Sequence, residues 1–163
     1  MKTLEDLFEH QIKDLYSAET QLVKVLPKMI KKATDRKLKE TFESHLVETK
    51  LQKSRLETIC RELNIAPAGE PCKAIKGLIK ETKNFIAEAT TDDVMDAGLI
   101  AEAQRVEHYE ISSYGTAVRF AKELGHRKIA KALQETLDEE YDTDNKLDKL
   151  AESRLNRKAI DQN

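Results

Sequence analysis

The 163-residue chain is poor in the residues that interrupt helices, with five glycines and three prolines. Because glycine and proline mark turns, their scarcity favours long helices joined by short connections. Tryptophan is absent, and aromatic residues make up only 5% of the chain. The sequence has no basic patch with interleaved aromatics, no glycine-rich phosphate-binding loop and no Ser/His/Asp or Cys/His arrangement. Nucleic-acid binding, nucleotide binding and nucleophilic catalysis are therefore unsupported.

Long apolar runs are missing as well. No stretch approaches the roughly 20 residues of a membrane span, and the N-terminal segment MKTLEDLFEHQIKDL is charged and amphipathic, unlike a secretion signal. Two cysteines, Cys60 and Cys72, form neither a CxxC pair nor a disulfide framework, so we expect packing roles for them. The net charge of −2 and the pI near 6.1 give no attraction for nucleic acid. We predict a cytoplasmic protein with no nucleic-acid or membrane partner.

What the chain does contain is a helical period of apolar residues. The first helix is predicted from residue 3 to about residue 33. Thr34 and Asp35 offer N-cap side chains for a second helix that runs to about Leu63. The segment NIAPAGEP, residues 64–71, ends this second helix. Because only a few residues connect the two helices, we expect them to be antiparallel neighbours.

The second half of the chain repeats this pattern after a short insert. A shorter amphipathic helix is predicted at about residues 72–88, and a third long helix at about residues 92–123. Gly125 offers a C-cap, and the fourth long helix covers about residues 127–152. The polar tail, about residues 153–163, is predicted to fray.

These elements predict an all-α fold, an antiparallel four-helix bundle with one short extra helix between helices 2 and 3. Residues 1–163 are long enough for a single domain with one core. The short helix carries apolar residues that a closed bundle cannot accommodate, and an exposed apolar stripe usually marks an interface. We therefore predict a homodimer that uses this stripe. Its residues are Ile75, Leu78, Ile79 and Phe85.

Each of the four long helices carries an acidic residue within its apolar stripe, where a bundle core is usually hydrophobic. These residues are Glu19, Glu48, Glu107, Glu110 and Glu140. Burying one ionised carboxylate costs several kcal/mol, whereas the net stability of a whole domain is about 5–15 kcal/mol. Cations or protons must therefore neutralise the group, and a pair of metal ions is the most economical means.

The predicted acids lie at similar depths in the bundle. Reflecting Glu19 through the first turn lands beside Glu48, and reflecting Glu110 through the last turn lands on Glu140. His45, three residues before Glu48, points to the same side and is a further candidate ligand. Carboxylate oxygen and imidazole nitrogen suit iron or manganese. The alternative is that some of these acids face solvent, and that His45 is a neutral core imidazole hydrogen-bonded to a glutamate.

Other polar side chains lie on or near the same stripes. Gln52, Asp144 and Thr49 are predicted to orient metal ligands without binding the ion themselves. Tyr114 and Tyr141 lie within a turn of the candidate glutamates and are expected to hydrogen-bond them. The alternative for these five residues is a purely structural role, with the tyrosines filling the core.

Four segments, one from each long helix, carry a resemblance to a known family. They are LEDLFEHQIKDLYSAETQLVKVLPKM, FESHLVETKLQKSRLE, AEAQRVEHYEISSYGTA and LQETLDEEYDTDNKL. The chain resembles the ferritin-like four-helix-bundle proteins of the bacterial YciE/YciF stress-protein type, which are related to rubrerythrin-like di-iron proteins. The resemblance covers nearly the whole chain. It implies a bundle with a short extra helix, a tendency to dimerise, and a centre of one or two iron or manganese ions.

The resemblance also implies roles for individual acids. Glu19 and Glu107 match the carboxylate ligands of the first and third helices, and Glu48 and Glu140 match those of the second and fourth. Glu110 is similar to an additional third-helix glutamate of rubrerythrin-like sites.

The chain departs from the di-iron pattern at two positions. The usual Glu-x-x-His pairs would place histidines where Leu51 and Thr143 stand. His45 is the remaining candidate histidine ligand, and it precedes Glu48 instead of following it. This departure is compatible with a weaker or single-ion site.

Two classes of function follow. The first is a metal protein of stress defence, which reacts with peroxide or oxygen through bound iron or manganese and whose small-molecule substrate is unknown. The second is a non-catalytic dimeric helical binding module, in which the polar layer fixes packing specificity and the carboxyl groups share protons. The recurrence of inward acids on all four helices favours the first class, and the two missing histidines weaken it.

Overall fold

The computed structural model describes residues 1–160, which form helices and no strand. The helices are α1 (Leu4–Lys32), α2 (Arg36–Glu62), α3 (Lys73–Glu88), α4 (Asp92–Glu123), α5 (Arg127–Leu150), a π-helical turn (Ala151–Leu155) and the short α6 (Asn156–Lys158). The predicted all-α fold is confirmed. No helix in this described part of the chain is long and apolar enough to cross a membrane.

Residues near the predicted boundaries cap the starts and ends of the helices. The Asp35 carboxylate accepts hydrogen bonds from the backbone N–H groups of Lys37 and Leu38, which caps α2 as expected. Gly125 adopts a left-handed φ of 77° after α4, and the following N–H bonds back to Ala121 O, the Schellman pattern of a glycine C-cap.

The long helices pack as a bundle whose apolar core is split in two. Helix α1 packs on α2 and α4, and α5 packs on α4 and α2. One apolar cluster contains Leu22, Phe42 and Leu99, and the other contains Leu15 and Leu133. The inward acids lie along the helices between these two clusters. The core therefore consists of two hydrophobic halves separated by a polar layer.

The turn between α1 and α2 is fixed by a carboxylate from another helix. Asp96 of α4 is buried and accepts hydrogen bonds from the Thr34 N–H (2.8 Å), the Thr34 hydroxyl (2.7 Å) and the Asp35 N–H (2.7 Å). Hydrogen bonds to a charged acceptor are stronger than neutral ones. The first helix hairpin is thus held to α4 at its tip.

Helix α3 packs against α1 and α4 of its own chain. Ile75 is fully buried, and Leu78, Ile79 and Phe85 are partly buried against the core. The expectation that a closed bundle cannot accommodate these residues is therefore wrong, because α1 and α4 leave a groove that receives them. The reason for placing a dimer interface here is lost, and the homodimer itself stays a prediction.

The C-terminal segment is more ordered than its polar composition suggests. The chain continues from α5 through the π-helical turn, and Leu155 is 1% exposed, packed in the core. The predicted fraying from residue 153 is wrong for this part, because Ala151 and Leu155 extend the apolar stripe of α5. Residues 161–163 of the predicted tail lie outside the described residues.

Gly98 is expected to be essential for seating α3. A Cβ atom at this position would lie 1.9 Å from Cζ of Phe85, so Gly98→Ala must displace the Phe85 ring. Gly77, on α3 itself, has no atom within 4 Å of its Cβ position, and Gly77→Ala should stabilise by about 1 kcal/mol through helix propensity. Chemical denaturation of both variants tests this: equal effects of the two substitutions would contradict the close approach of Phe85.

Removal of the Asp96 carboxylate should loosen the first hairpin. Asp96→Ala leaves three donors without their charged acceptor and is expected to lower the free energy of unfolding by about 1–3 kcal/mol. Asp142→Ala, an exposed acid on α5, serves as the control. Urea denaturation measures both. Hydrogen exchange should show faster exchange at the start of α2 in the Asp96 variant alone.

Candidate metal centre

All four long helices place titratable side chains in the polar layer. Glu19 comes from α1, His45 from α2, Glu107 and Glu110 from α4, and Glu140 from α5. Each of these side chains is at most 3% exposed. Glu19 lies three residues before Leu22 and four after Leu15, so helical spacing places it on the buried face of α1. The alternative in which some of the predicted acids face solvent is wrong for Glu19, Glu107, Glu110 and Glu140.

The ligand atoms converge. One atom from each of His45, Glu107, Glu110 and Glu140 can be chosen so that all four lie within 4.8 Å of one another. The His45 Nε2 atom is 3.2 Å from Glu107 Oε1. Glu19 adjoins this group, since its carboxyl faces that of Glu110, and the Tyr114 hydroxyl donates a hydrogen bond to Glu19 Oε1. The predicted contact between Tyr114 and a candidate glutamate is confirmed.

The buried oxygens of the cluster lack donors. Both carboxylate oxygens of Glu107, Glu110 and Glu140 have no hydrogen-bond partner, nor have Glu19 Oε2 and His45 Nδ1. Buried polar atoms are nearly always satisfied, so this concentration of unpaired acceptors must be neutralised. Either protons shared between facing carboxyl groups or a cation can meet this requirement. A divalent ion fits the donor set, which combines hard oxygen atoms with one imidazole.

Burial and mutual repulsion shift the acidity of the cluster. Desolvation, followed by the charge of Glu140, raises the pKa of Glu19 and of Glu107 well above the ordinary range. Desolvation and the charge of Glu19 do the same for the pKa of Glu110, and desolvation raises the pKa of Glu140 to about 8. Burial lowers the pKa of His45 to about 4, so its imidazole is neutral at pH 7. The metal-free cluster therefore holds protons that an ion would displace.

Glu48 lies apart from this group. It is only partly buried, and its carboxylate oxygens accept long hydrogen bonds of 3.4 Å from Ser44 and Thr143. The inward positions of α2 are His45, Thr49 and Gln52. Leu51 is 58% exposed, so a histidine at this position would point to solvent. On α2 the inward stripe therefore follows His45 rather than Glu48.

The residues predicted to orient the ligands hold different positions. Gln52 is buried and donates to Glu139 Oε2 at 3.1 Å. Asp144 lies at the α4–α5 seam, where it accepts a hydrogen bond from Gln104 and is 3.3 Å from His108 Nε2. The Thr49 hydroxyl donates to the His45 carbonyl oxygen at 2.8 Å, a bond within α2. Of these three residues, Gln52 fits the predicted role best, because its partner Glu139 is the sequence neighbour of Glu140.

Tyr141 does not join the polar layer. Its side chain is 49% exposed, so the expectation that it bonds a candidate glutamate is wrong. Glu140 is the neighbouring residue that points inward, and consecutive residues of a helix face different directions.

An ion pair beside the cluster was not apparent from the sequence. Arg55 of α2 forms a two-pronged salt bridge with Glu139 of α5, with N–O distances of 2.9 and 3.0 Å. It also donates to the Thr136 hydroxyl. Gln52 shares the same Glu139 carboxylate, which places this network next to Glu140. Helices α2 and α5 are not joined by a turn, so no reflection along the sequence could have paired them.

Comparisons with known proteins agree over almost the whole chain. The family model described as a domain of unknown function (DUF892) matches residues 3–160. Protein YciF of Escherichia coli (strain K12) is 46% identical over 160 residues, 98% of this chain and 96% of that protein. The crystal structure of the E. coli stress protein YciF matches with a TM-score of 0.91 over 96% of this chain and 99% of that one. YcfI from Rhodopseudomonas palustris is 45% identical with a TM-score of 0.88, over 91% and 94% of the two chains.

Fold and site together define a helical-bundle protein with a buried layer of acids and one histidine. The chain belongs to the DUF892 family, and the predicted resemblance to stress proteins of the YciF type is confirmed.

The metal-free protein should lose stability as the pH rises. The pKa of Glu140 in the folded state, about 8, exceeds the ordinary value of 4.5. Its contribution to the free energy of unfolding is therefore complete below pH 4.5 and is lost as pH rises through 8. The pKa values of Glu19, Glu107 and Glu110 are shifted in the same direction. His45 acts oppositely, because its contribution is present above pH 6.5 and is lost as pH falls through about 4. Four carboxyl groups should outweigh one imidazole between these limits.

Urea denaturation of chelator-treated protein across this range measures the effect. Glu140→Gln should flatten the fall in stability, whereas Glu135→Gln on the exposed side of α5 should leave the slope unchanged. A wild-type stability that increases up to pH 8 would show that the cluster is not protonated when metal-free.

Proposed function

We propose that the chain is a ferritin-like antiparallel four-helix bundle of stress defence that binds one or two iron or manganese ions in its core. Glu19, His45, Glu107, Glu110 and Glu140 would hold the ion. The observation that carries the proposal is the set of buried carboxylate oxygens without donors. They lie in a cluster in which ligand atoms of His45, Glu107, Glu110 and Glu140 are within 4.8 Å of one another. The comparison with YciF supports the stress role, since that protein is described as a stress protein.

Contacts between helices support the antiparallel arrangement. Along α2 and α5, Gln52 contacts Glu139 and Glu62 contacts Lys128, so residue numbers increase on one helix as they decrease on the other. Along α1 and α4, Glu19 contacts Tyr114, and Thr34, just after the end of α1, contacts Asp96, so the numbers again run in opposite directions. This arrangement brings one or two ligands from each helix to a common depth, as in the predicted bundle.

Each residue of the cluster has a distinct task in this proposal. Bound iron or manganese supplies redox chemistry toward oxygen or peroxide. The carboxylates neutralise the ion, and neutral His45 offers an imidazole nitrogen without having to lose a proton. Tyr114 fixes one oxygen of Glu19 through its hydroxyl, which leaves the other oxygen directed into the cluster. The two apolar halves of the core exclude water from both sides of the layer.

Glu48 has a place at the edge of the site. Its long hydrogen bonds to Ser44 and Thr143 are weak, and its charge acts on Glu140. A change of side-chain rotamer would bring it toward the cluster once an ion neutralises the repulsion. The proposal therefore keeps Glu48 as an additional ligand of the loaded site.

Metal binding should raise the melting temperature of the folded protein. At a free ion concentration about 100 times Kd, the expected stabilisation is about 2.7 kcal/mol. Calorimetry with Mn(II), or with Fe(II) under anaerobic conditions, measures it, and elemental analysis gives the stoichiometry. Glu107→Gln should reduce both the bound metal and the shift. Glu123→Gln, an exposed acid on the same helix, should change neither.

The same variants separate the second class of function. In a binding module with a proton-sharing core, Glu107→Gln should be neutral or stabilising, because it removes a buried carboxyl group. A wild-type protein that melts at the same temperature with and without excess ion would refute the metal centre and favour that module.

A further inference from the structure

A small apolar cavity touches the candidate metal centre on the side of α3. Its volume is about 10 Å³, and His45 and Glu107 form part of its wall. The remaining wall comes from α1, α3 and α4 and is almost entirely hydrophobic. It includes Leu22, Leu26, Met29, Ala103 and Val106.

The polar side chain in the α3 wall is already engaged. The Thr82 hydroxyl donates to the Leu78 carbonyl oxygen at 3.0 Å and lies 3.4 Å from Glu102 Oε2. A buried water molecule needs two to four polar partners and about this volume. The cavity has room for a molecule of that size. Although His45 and Glu107 border it, almost none of the surface that faces the cavity is polar, so it offers too few partners for water. It therefore suits a small neutral molecule.

A surface groove of about 170 Å³ lies directly outside this cavity, along the seam between α1 and α3. Val25 and Ile79 line both the groove and the cavity, so these two side chains separate solvent from the interior. Val25 is 5% exposed and Ile79 is partly buried. Displacing these side chains would join groove and cavity into one passage that ends at His45 and Glu107.

Charge restricts what can enter. Three lysines, Lys24, Lys28 and Lys83, line the groove. They repel metal cations, and the apolar wall behind them would desolvate any ion. The route is therefore unsuited to loading the metal.

We propose that this cavity binds small neutral apolar molecules, with dioxygen as the representative, and that Val25 and Ile79 gate their passage to the metal centre. That the passage leads to a metal ion rests on the proposed function, whereas the cavity and its gate do not depend on it. Helix α3 is short and lies outside the bundle, so local opening of its contacts costs less than global unfolding.

Metal-free protein provides the first test, with dioxygen itself as the probe. Dissolved dioxygen is paramagnetic and speeds the relaxation of nearby methyl groups in nuclear magnetic resonance. Under dioxygen pressure, the methyl groups of Leu22, Leu26 and Val106 should relax several-fold faster than those of Leu15 and Leu133, which are also buried but belong to the other apolar cluster. Equal enhancement at both sets would overturn the proposal.

Substitutions on α3 test the gate. Ile79→Ala should increase the relaxation enhancement at Val106, and Ile79→Trp should abolish it. Ile86→Ala makes the same truncation on the same helix, at a partly buried position that lines neither space, and should leave the enhancement unchanged. Circular dichroism checks that each variant is folded. If Ile79→Ala and Ile86→Ala behave alike, Ile79 is not the gate.

A metal-loaded experiment separates this proposal from the metal centre. If the protein binds Fe(II), the association rate of nitric oxide should rise in Ile79→Ala and not in Ile86→Ala, while Fe(II) affinity is the same in both. If Fe(II) does not bind, the proposed function fails but the dioxygen relaxation pattern still decides the cavity. Unchanged nitric oxide rates in a protein that binds Fe(II) would contradict the passage.

Discussion

The close approach of four buried carboxyl groups and one imidazole is the constraint on which this structure depends. Glu19, Glu107, Glu110 and Glu140 would repel one another if ionised, and each would lose its hydration. The layer is stable only when protons or a cation neutralise it. Because the two apolar clusters on either side supply the packing, the bundle can accommodate a polar layer at its centre.

The surrounding contacts hold the helices at fixed depths around that layer. Arg55 and Glu139 join α2 to α5 beside the cluster, and Asp96 ties the tip of the first hairpin to α4. Tyr114 bridges α4 to α1 at Glu19 itself. Each contact links residues that are distant in sequence, which keeps the inward side chains of different helices in register.

The two sides of the polar layer differ in polarity. On the α2–α5 side, Glu48 accepts hydrogen bonds from Thr143 and Ser44. Ser44 in turn lines a surface groove together with Lys37, Lys146 and Lys149. On the α1–α3 side, the wall is apolar and closed by the short helix. The polar layer therefore borders polar side chains on one side and apolar side chains on the other. In this arrangement α3 is a cover for the bundle, a role that its packing on α1 and α4 supports.

The sequence by itself determined the helices, their caps at Asp35 and Gly125, and the presence of inward acids, because these follow from local period and side-chain chemistry. The tertiary structure decided which neighbours on a stripe point inward. Positions three residues apart, such as His45 and Glu48, differ by about 60° around the helix axis, and only packing against other helices selects between them. The tertiary structure also decided that α3 packs against α1 and α4 of the same chain and that Leu155 joins the core. Both outcomes depend on surfaces that several helices form together.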